Sequence, residues 1–119
     1  MIQDFQNKVV MNYKISGKVI RGDGYGRKLG FPTVNLEVGV GELPKAGVYA
    51  GEVTLNEKSY RAGILVNPTG KVEAHLIGYN GDAYGKEVIL QIRQFIREYK
   101  KFDTEDALII QIKKDLEIC

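Results

Sequence analysis

The sequence contains one cysteine, Cys119 at its last position, so it offers no intrachain disulfide and no thiolate metal cluster. A reducing compartment is implied. It contains one histidine, His75, which excludes a site built on several imidazoles. No apolar run reaches the roughly 18 residues a membrane span needs, and the segment Met1 to Tyr13, with Gln3, Asp4, Asn7 and Lys8, lacks the apolar core of a secretion signal. The expected location is the cytoplasm, with no membrane partner. Neither sign of charge dominates: 17 Lys and Arg stand against 15 Asp and Glu, and the basic residues are at most paired, as in Arg27-Lys28, Lys100-Lys101 and Lys113-Lys114. A surface that tracks nucleic-acid phosphates is usually more lopsided, so no nucleic-acid partner is expected. A Walker-type phosphate loop, a dinucleotide-binding glycine fingerprint and a serine nucleophile elbow are all missing.

What is present is a chain of 119 residues, 44% hydrophobic and 27% charged, which suits one folded domain over 1–119. Its 14 glycines all fall in the first 85 residues, between short segments rich in Val, Ile, Tyr and Thr. That is the pattern of an antiparallel β protein with many turns. The strands expected are Lys14–Ile20, Phe31–Val38, Val48–Leu55, Ser59–Val66, Lys71–Tyr79 and Glu87–Ile96, after an N-terminal extension over 1–13. Asn56-Glu57 reads as a tight hairpin joining the third and fourth strands. Six short strands remove their exposed edges by closing, which gives a mostly β fold, a six-stranded antiparallel barrel. From residue 103 to 117 the period becomes helical, with Leu108, Ile109, Ile112 and Leu116 on one side, Asp103 as the N-cap, and Glu105 and Asp106 in the first turn. Lys113 and Lys114 fall toward the far end of this C-terminal helix.

Two segments carry candidate chemistry. Gly22, Gly24 and Gly26 can bring backbone N–H groups close to an anion, with Arg27 or Lys28 alongside, although a flexible hairpin turn explains the same glycines equally well. In Phe31-Pro32-Thr33-Val34-Asn35, a hydroxyl and an amide oxygen two residues apart share one face of an extended segment. Such a pair suits Mg²⁺ when a nucleotide supplies the charge, and ordinary turn hydrogen bonding is the competing explanation. Glu73 and His75 share a strand face. Taken alone, Glu73 reads as a solvated charge, and His75 either orients Glu73 or is a half-buried structural histidine.

The run Gly30-Phe31-Pro32-Thr33-Val34-Asn35-Leu36 resembles the signature segment of riboflavin kinases of the bacterial and eukaryotic type. Further pieces of that family's pattern follow in order. They are Leu43-Pro44 before Gly47-Val48-Tyr49, Asn67-Pro68-Thr69, Val72-Glu73-Ala74-His75-Leu76, Tyr84-Gly85, and Ile96-Arg97 with Lys101-Phe102-Asp103. The resemblance spans residues 15 to 117. It implies a six-stranded Greek-key barrel that transfers the γ-phosphoryl group of ATP to the 5′-hydroxyl of riboflavin, giving FMN and ADP. It further implies that Thr33 and Asn35 bind Mg²⁺ or another divalent cation and the phosphates. Gly22, Arg27 and Lys28 would lie in a flap over the nucleotide, and Tyr84 and Gly85 would contact it. Glu73 is the implied general base. Arg97, Lys100, Phe95 and Phe102 are the candidates for contact with the flavin.

Several positions depart from the family pattern. Gly78-Tyr79 replaces an Asp-Phe pair, Ala83 a bulkier apolar residue, Tyr99 a glutamate and Tyr25 an arginine, and the link from Pro68-Thr69 to Glu73 is short. Because only about thirteen residues precede the first expected strand, FMN rather than FAD is the expected end product, and the protein is expected to be a monomer. Two rival classes are a non-catalytic flavin- or nucleotide-binding barrel with a regulatory role, which the Gly78-Tyr79 and Tyr99 departures keep open, and an oligonucleotide-binding barrel, which the balanced charge disfavours.

Overall fold

The computed structural model describes residues 9–22, 24–38 and 43–119. Six strands form a closed barrel: β1 (Val9–Ile20), β2 (Val34–Val38), β3 (Gly47–Leu55), β4 (Lys58–Val66), β5 (Val72–Leu76) and β6 (Glu87–Glu98). Neighbours around the barrel run β1-β2-β5-β4-β3-β6, and every pairing is antiparallel. β3, β4 and β5 follow one another in sequence and in space, and β6 returns to lie beside β3, which is the Greek-key order. Asn56 and Glu57 have φ values of 52° and 67°, the left-handed pair that matches a two-residue hairpin to the strand twist, so β3 and β4 pair directly as expected.

Alternation fixes the inside of the barrel. Val53, Leu55, Ala62, Ile64, Val66, Val72, Ala74, Leu76, Val88, Leu90 and Ile92 are buried in one cluster, while their strand neighbours point outward. On β4 the outward set includes Gly63 and Leu65, and on β5 it is Glu73 and His75. The outer wall of β4 and β5 is therefore where a functional surface can be built without opening the core.

Strand boundaries differ from the sequence reading at both ends of the barrel. β1 begins at Val9, so the expected N-terminal extension is partly strand, and its residues 1–8 lie outside the described residues. β2 begins only at Val34, because Pro32 has no N–H to offer a ladder. β5 stops at Leu76, where the chain turns through Ile77 and Gly78 and Tyr79 N–H donates to the Leu76 carbonyl at 3.3 Å.

The glycine-rich segment contains a single helical turn, α1 (Tyr25–Lys28), entered through Gly24 at φ 73°, a conformation a side chain would strain. The C-terminal helix α2 runs Glu105–Ile118. Its N-cap is Thr104 rather than Asp103: the Thr104 backbone is extended and its hydroxyl accepts from Ala107 N–H at 3.1 Å, satisfying a donor of the first turn. Glu105 and Asp106 occupy that turn as expected. The helix continues past Lys113 and Lys114, so no basic residue lies in its last turn. Leu108, Ile112 and Leu116 face the outer wall of β4, where Leu116 approaches the bare backbone of Gly63.

Candidate functional site

Between the barrel wall, α1 and α2 lies a cavity of about 230 Å³. Its apolar lining comes from Leu29, Phe31, Val48, Ile64, Leu65, Leu108, Ile112 and Leu116. Its polar groups are few: Tyr25, Thr33, Glu73, His75, Arg97 and Asp115. An apolar slot with sparse, convergent polar groups is the usual form of a small-molecule site. Glu73 stands in its wall because the two-residue period of β5 turns Glu73 and His75 outward while Val72, Ala74 and Leu76 fill the core.

The central contact is a hydrogen bond from Thr33 Oγ1 to Glu73 Oε1 at 3.0 Å. β2 and β5 set it up, since Asn35 is the register partner of Glu73 and Thr33 stands just before the strand begins. Thr33 also lines two polar cavities. One, of about 220 Å³, is shared with Arg21, Gly22, Gly24, Arg27, Asn35, Asp82 and Tyr84. The other, of about 430 Å³, includes Arg21, Arg27, Tyr79, Asn80 and Asp82. Thr33 and its neighbour Glu73 thus stand at the boundary between an apolar compartment and a polar one carrying two arginines.

Gly22 serves the polar side. A Cβ at this position would stand 1.9 Å from Asn35 Nδ2, so only glycine lets the chain pass this close to the Asn35 amide. Tyr84 lies beneath the guanidinium of Arg21, 4.0 Å from the ring centroid, in a cation–π contact at the rim.

Beyond the apolar cavity, a further cavity of about 480 Å³ is lined by Tyr25, Arg97, Tyr99, Lys100, Lys101, Phe102 and Glu105, among others. Arg97 and Lys100 both approach the Phe102 ring, at 5.5 and 5.3 Å. Arg97 is held from α2: its Nε donates to both carboxylate oxygens of Asp115 at 3.1 and 3.0 Å, and its Nη2 lies 2.9 Å from Oδ2. Gln111 donates to the same carboxylate at 2.9 Å, so the buried charge is fully partnered. Tyr25 on α1 donates to Glu105 of α2 at 3.2 Å, joining the glycine-rich segment to the helix across the cavity mouth. The phenol pKa of Tyr25 is raised by loss of surrounding water and then by that carboxylate.

Of the residues singled out by sequence, Thr33, Asn35 and Glu73 come together, with Gly22, Arg27 and Tyr84 on the polar side and Arg97, Lys100 and Phe102 on the far side of the apolar cavity. Lys28, Gly85 and Phe95 line none of these cavities. Gly85 instead closes a turn, its N–H donating to the Val19 carbonyl. Phe95 packs edge-on against Tyr49 at 5.4 Å beneath Lys45, so its ring belongs to the barrel packing rather than to a ligand wall. His75 does not meet Glu73 as one reading of the sequence had it: its Nδ1 lies 2.7 Å from the Pro32 carbonyl. Sequence reasoning missed Asp115 and Arg21. Asp115 had a signal, because it falls at helical spacing from Leu108 and Ile112 on the apolar face, where a carboxylate needs a partner. Arg21 had none.

Among the described residues, no three His, Cys, Asp or Glu side chains gather into a metal cluster. The hard, neutral oxygens of Thr33 and Asn35 around the polar cavity nevertheless fit a magnesium ion whose charge is balanced by substrate phosphates.

A family model described as Flavokinase, riboflavin kinase, matches residues 9–119. A bifunctional riboflavin kinase/FMN adenylyltransferase of Listeria monocytogenes is 37% identical over 87% of this chain and 36% of its own length. An RNA-binding riboflavin kinase of Bacillus subtilis is 36% identical over 86% of this chain and 47% of its own. The chain thus spans between about a third and a half of these curated relatives. Among solved structures, riboflavin kinase from Trypanosoma brucei superimposes with a TM-score of 0.69 at 26% identity, covering 90% of this chain and 74% of that one. A Streptococcus pneumoniae structure titled as a macrolide-efflux protein superimposes with a TM-score of 0.83 at 32% identity, over 90% of this chain and 38% of that one.

Proposed function

The chain belongs to the riboflavin kinase family, and we propose that it transfers the γ-phosphoryl group of ATP to the 5′-hydroxyl of riboflavin, releasing FMN and ADP. The observation that carries the reading is the Thr33–Glu73 hydrogen bond at the boundary between the apolar cavity and the arginine-bearing polar cavity. The isoalloxazine ring occupies the apolar side, with Arg97, Lys100 and Phe102 toward its outer end, and the ribityl chain leads its terminal hydroxyl to Glu73. The triphosphate occupies the polar side beneath the flap, facing Arg27 and Arg21. Glu73 accepts the hydroxyl proton as the oxygen–phosphorus bond forms. The bond from the γ-phosphorus to the bridging oxygen breaks, and its electron pair leaves on ADP. General-base help of this kind is typically worth about 10²–10⁴ in rate, and most of the remainder is positioning and charge neutralisation. Thr33 and Asn35 would hold Mg²⁺, which when bound supplies positive charge against the phosphates.

No described helix is long and apolar enough to cross a membrane, and the proposed enzyme works in the cytoplasm as a monomer. The test is incubation with riboflavin, ATP and Mg²⁺, with FMN resolved by chromatography. Time-dependent FMN is the expected result. A protein that makes none with any donor and cation tried, yet binds riboflavin or nucleotide, is instead a binding barrel.

A further inference from the structure

The single histidine occupies an instructive place. Residue pairing between β2 and β5 sets Val34 opposite Ala74, and continuing that register one step would set Thr33 opposite His75. The ladder ends at Val34. Where it ends, the His75 side chain takes over: Nδ1 lies 2.7 Å from the Pro32 carbonyl, and the Phe31 ring meets the imidazole edge-on at 6.1 Å. A carbonyl oxygen only accepts, so the contact requires the proton on Nδ1. The carbonyl that His75 grips belongs to the peptide leading directly into Thr33, whose hydroxyl donates to Glu73 at 3.0 Å. One end of the outward face of β5 therefore fixes the peptide plane, and the other end receives the hydroxyl that this plane aims.

We propose that His75 is a positioning residue, locking the Pro32–Thr33 peptide as its Nδ1–H tautomer so that Thr33 is held against Glu73 at the boundary of the two substrate compartments. The proposal rests on the phosphoryl-transfer reading for its consequence and on geometry alone for the tautomer. Proline makes the lock necessary. Pro32 has no N–H to offer a neighbouring strand, and the segment that carries Thr33 lies beyond the end of the ladder, where the His75 side chain holds it. Groups that orient a binding residue from behind typically contribute about 10–100-fold, and a site misplaced by about 1 Å can lose 10²-fold.

Two measurements decide it. In the folded protein, at a pH where its spectrum is that of the neutral ring, long-range ¹⁵N–¹H correlation of the only histidine should show Nδ1 protonated and Nε2 bare; a proton on Nε2 overturns the proposal. In kinetics, His75→Leu should lower kcat/KM for ATP by about 10–100-fold. His75→Asn, whose amide N–H reaches the place of Nδ1, should restore most of the loss. A His75→Leu enzyme that folds and retains full kcat/KM, or a His75→Asn enzyme as impaired as His75→Leu, contradicts the proposal. Should His75→Leu fail to fold, the tautomer and the His75→Asn rate still decide. A wild type that makes no FMN would defeat the kinase reading and leave the tautomer test standing. One that makes FMN with its proton on Nε2 would defeat only the role given to His75.

Discussion

The Thr33 hydroxyl donates to the Glu73 carboxylate at 3.0 Å, joining the residue just before β2 to the second residue of β5. The contact gives Glu73 a fixed orientation in the wall of the apolar cavity. It also places the proposed proton acceptor beside a residue that faces the polar cavities.

Glu73→Gln keeps the shape and the bond from Thr33 but removes the group that accepts a proton. Turnover should fall by about 10²–10⁴, while riboflavin affinity, measured by quenching of flavin fluorescence, stays close to that of the wild type. Unchanged turnover would remove Glu73 from its role.

Gly22→Ala tests the flap. The added methyl would meet the Asn35 amide at 1.9 Å, so either the flap or the amide must move. The expected result is a loss of about 10²-fold in kcat/KM for ATP, by displacement of the nucleotide side of the site. Thermal unfolding should change little, since Gly22 is exposed.

Asp115→Leu leaves Arg97 without its carboxylate in a pocket where Arg97 is about one-fifth exposed. Breaking a buried pair by removing one partner costs about 3–5 kcal/mol, and partial exposure of Arg97 brings the expected loss nearer 2–3 kcal/mol. Urea denaturation measures it. The double variant Arg97→Met with Asp115→Leu should recover much of that stability while weakening riboflavin binding, because Arg97 lines both cavities beside α2.

Cys119 packs beside Gly63 and donates through Sγ to the Asp115 carbonyl at 3.4 Å. Burial pushes its thiol up from 9.0 to about 11, the Asp115 carboxylate adds to the rise, and Arg61 opposes it. The folded state therefore holds the proton that the unfolded chain loses first. Stability is unaffected well below pH 9 and falls as pH rises toward 11. Alkylation by iodoacetamide at pH 8.5 should be much slower for the folded protein than for the urea-unfolded chain; equal rates would place the thiol in solvent.

Much of this was legible because local chemistry and fold agree. Asn56-Glu57 marked its hairpin by the turn residues alone, and the two-residue period exposed Glu73 while burying its neighbours. Leu108, Ile112 and Leu116 announced the face of α2. Contacts made through tertiary structure were not legible. The N-cap fell to Thr104 because the chain's approach to the helix, and not residue type, chooses between adjacent Asp and Thr. The partner of His75 depended on where Pro32 ends β2. Phe95 turned inward because the β3–β6 register shifts beside it, a backbone irregularity with no mark in the sequence. The departures at Tyr25, Tyr79 and Tyr99 all fall on cavity linings, so the residues least like the family pattern surround the site without replacing Thr33, Asn35 or Glu73.

The proposed reaction moves one phosphoryl group from ATP to riboflavin. The most direct measurement follows ATP labelled at its γ-phosphorus with the purified protein, riboflavin and Mg²⁺. Label should appear in FMN with an equal amount of unlabelled ADP, and both should fall together by about 10²–10⁴ in Glu73→Gln. Label appearing only as inorganic phosphate, or riboflavin recovered unchanged, would contradict it.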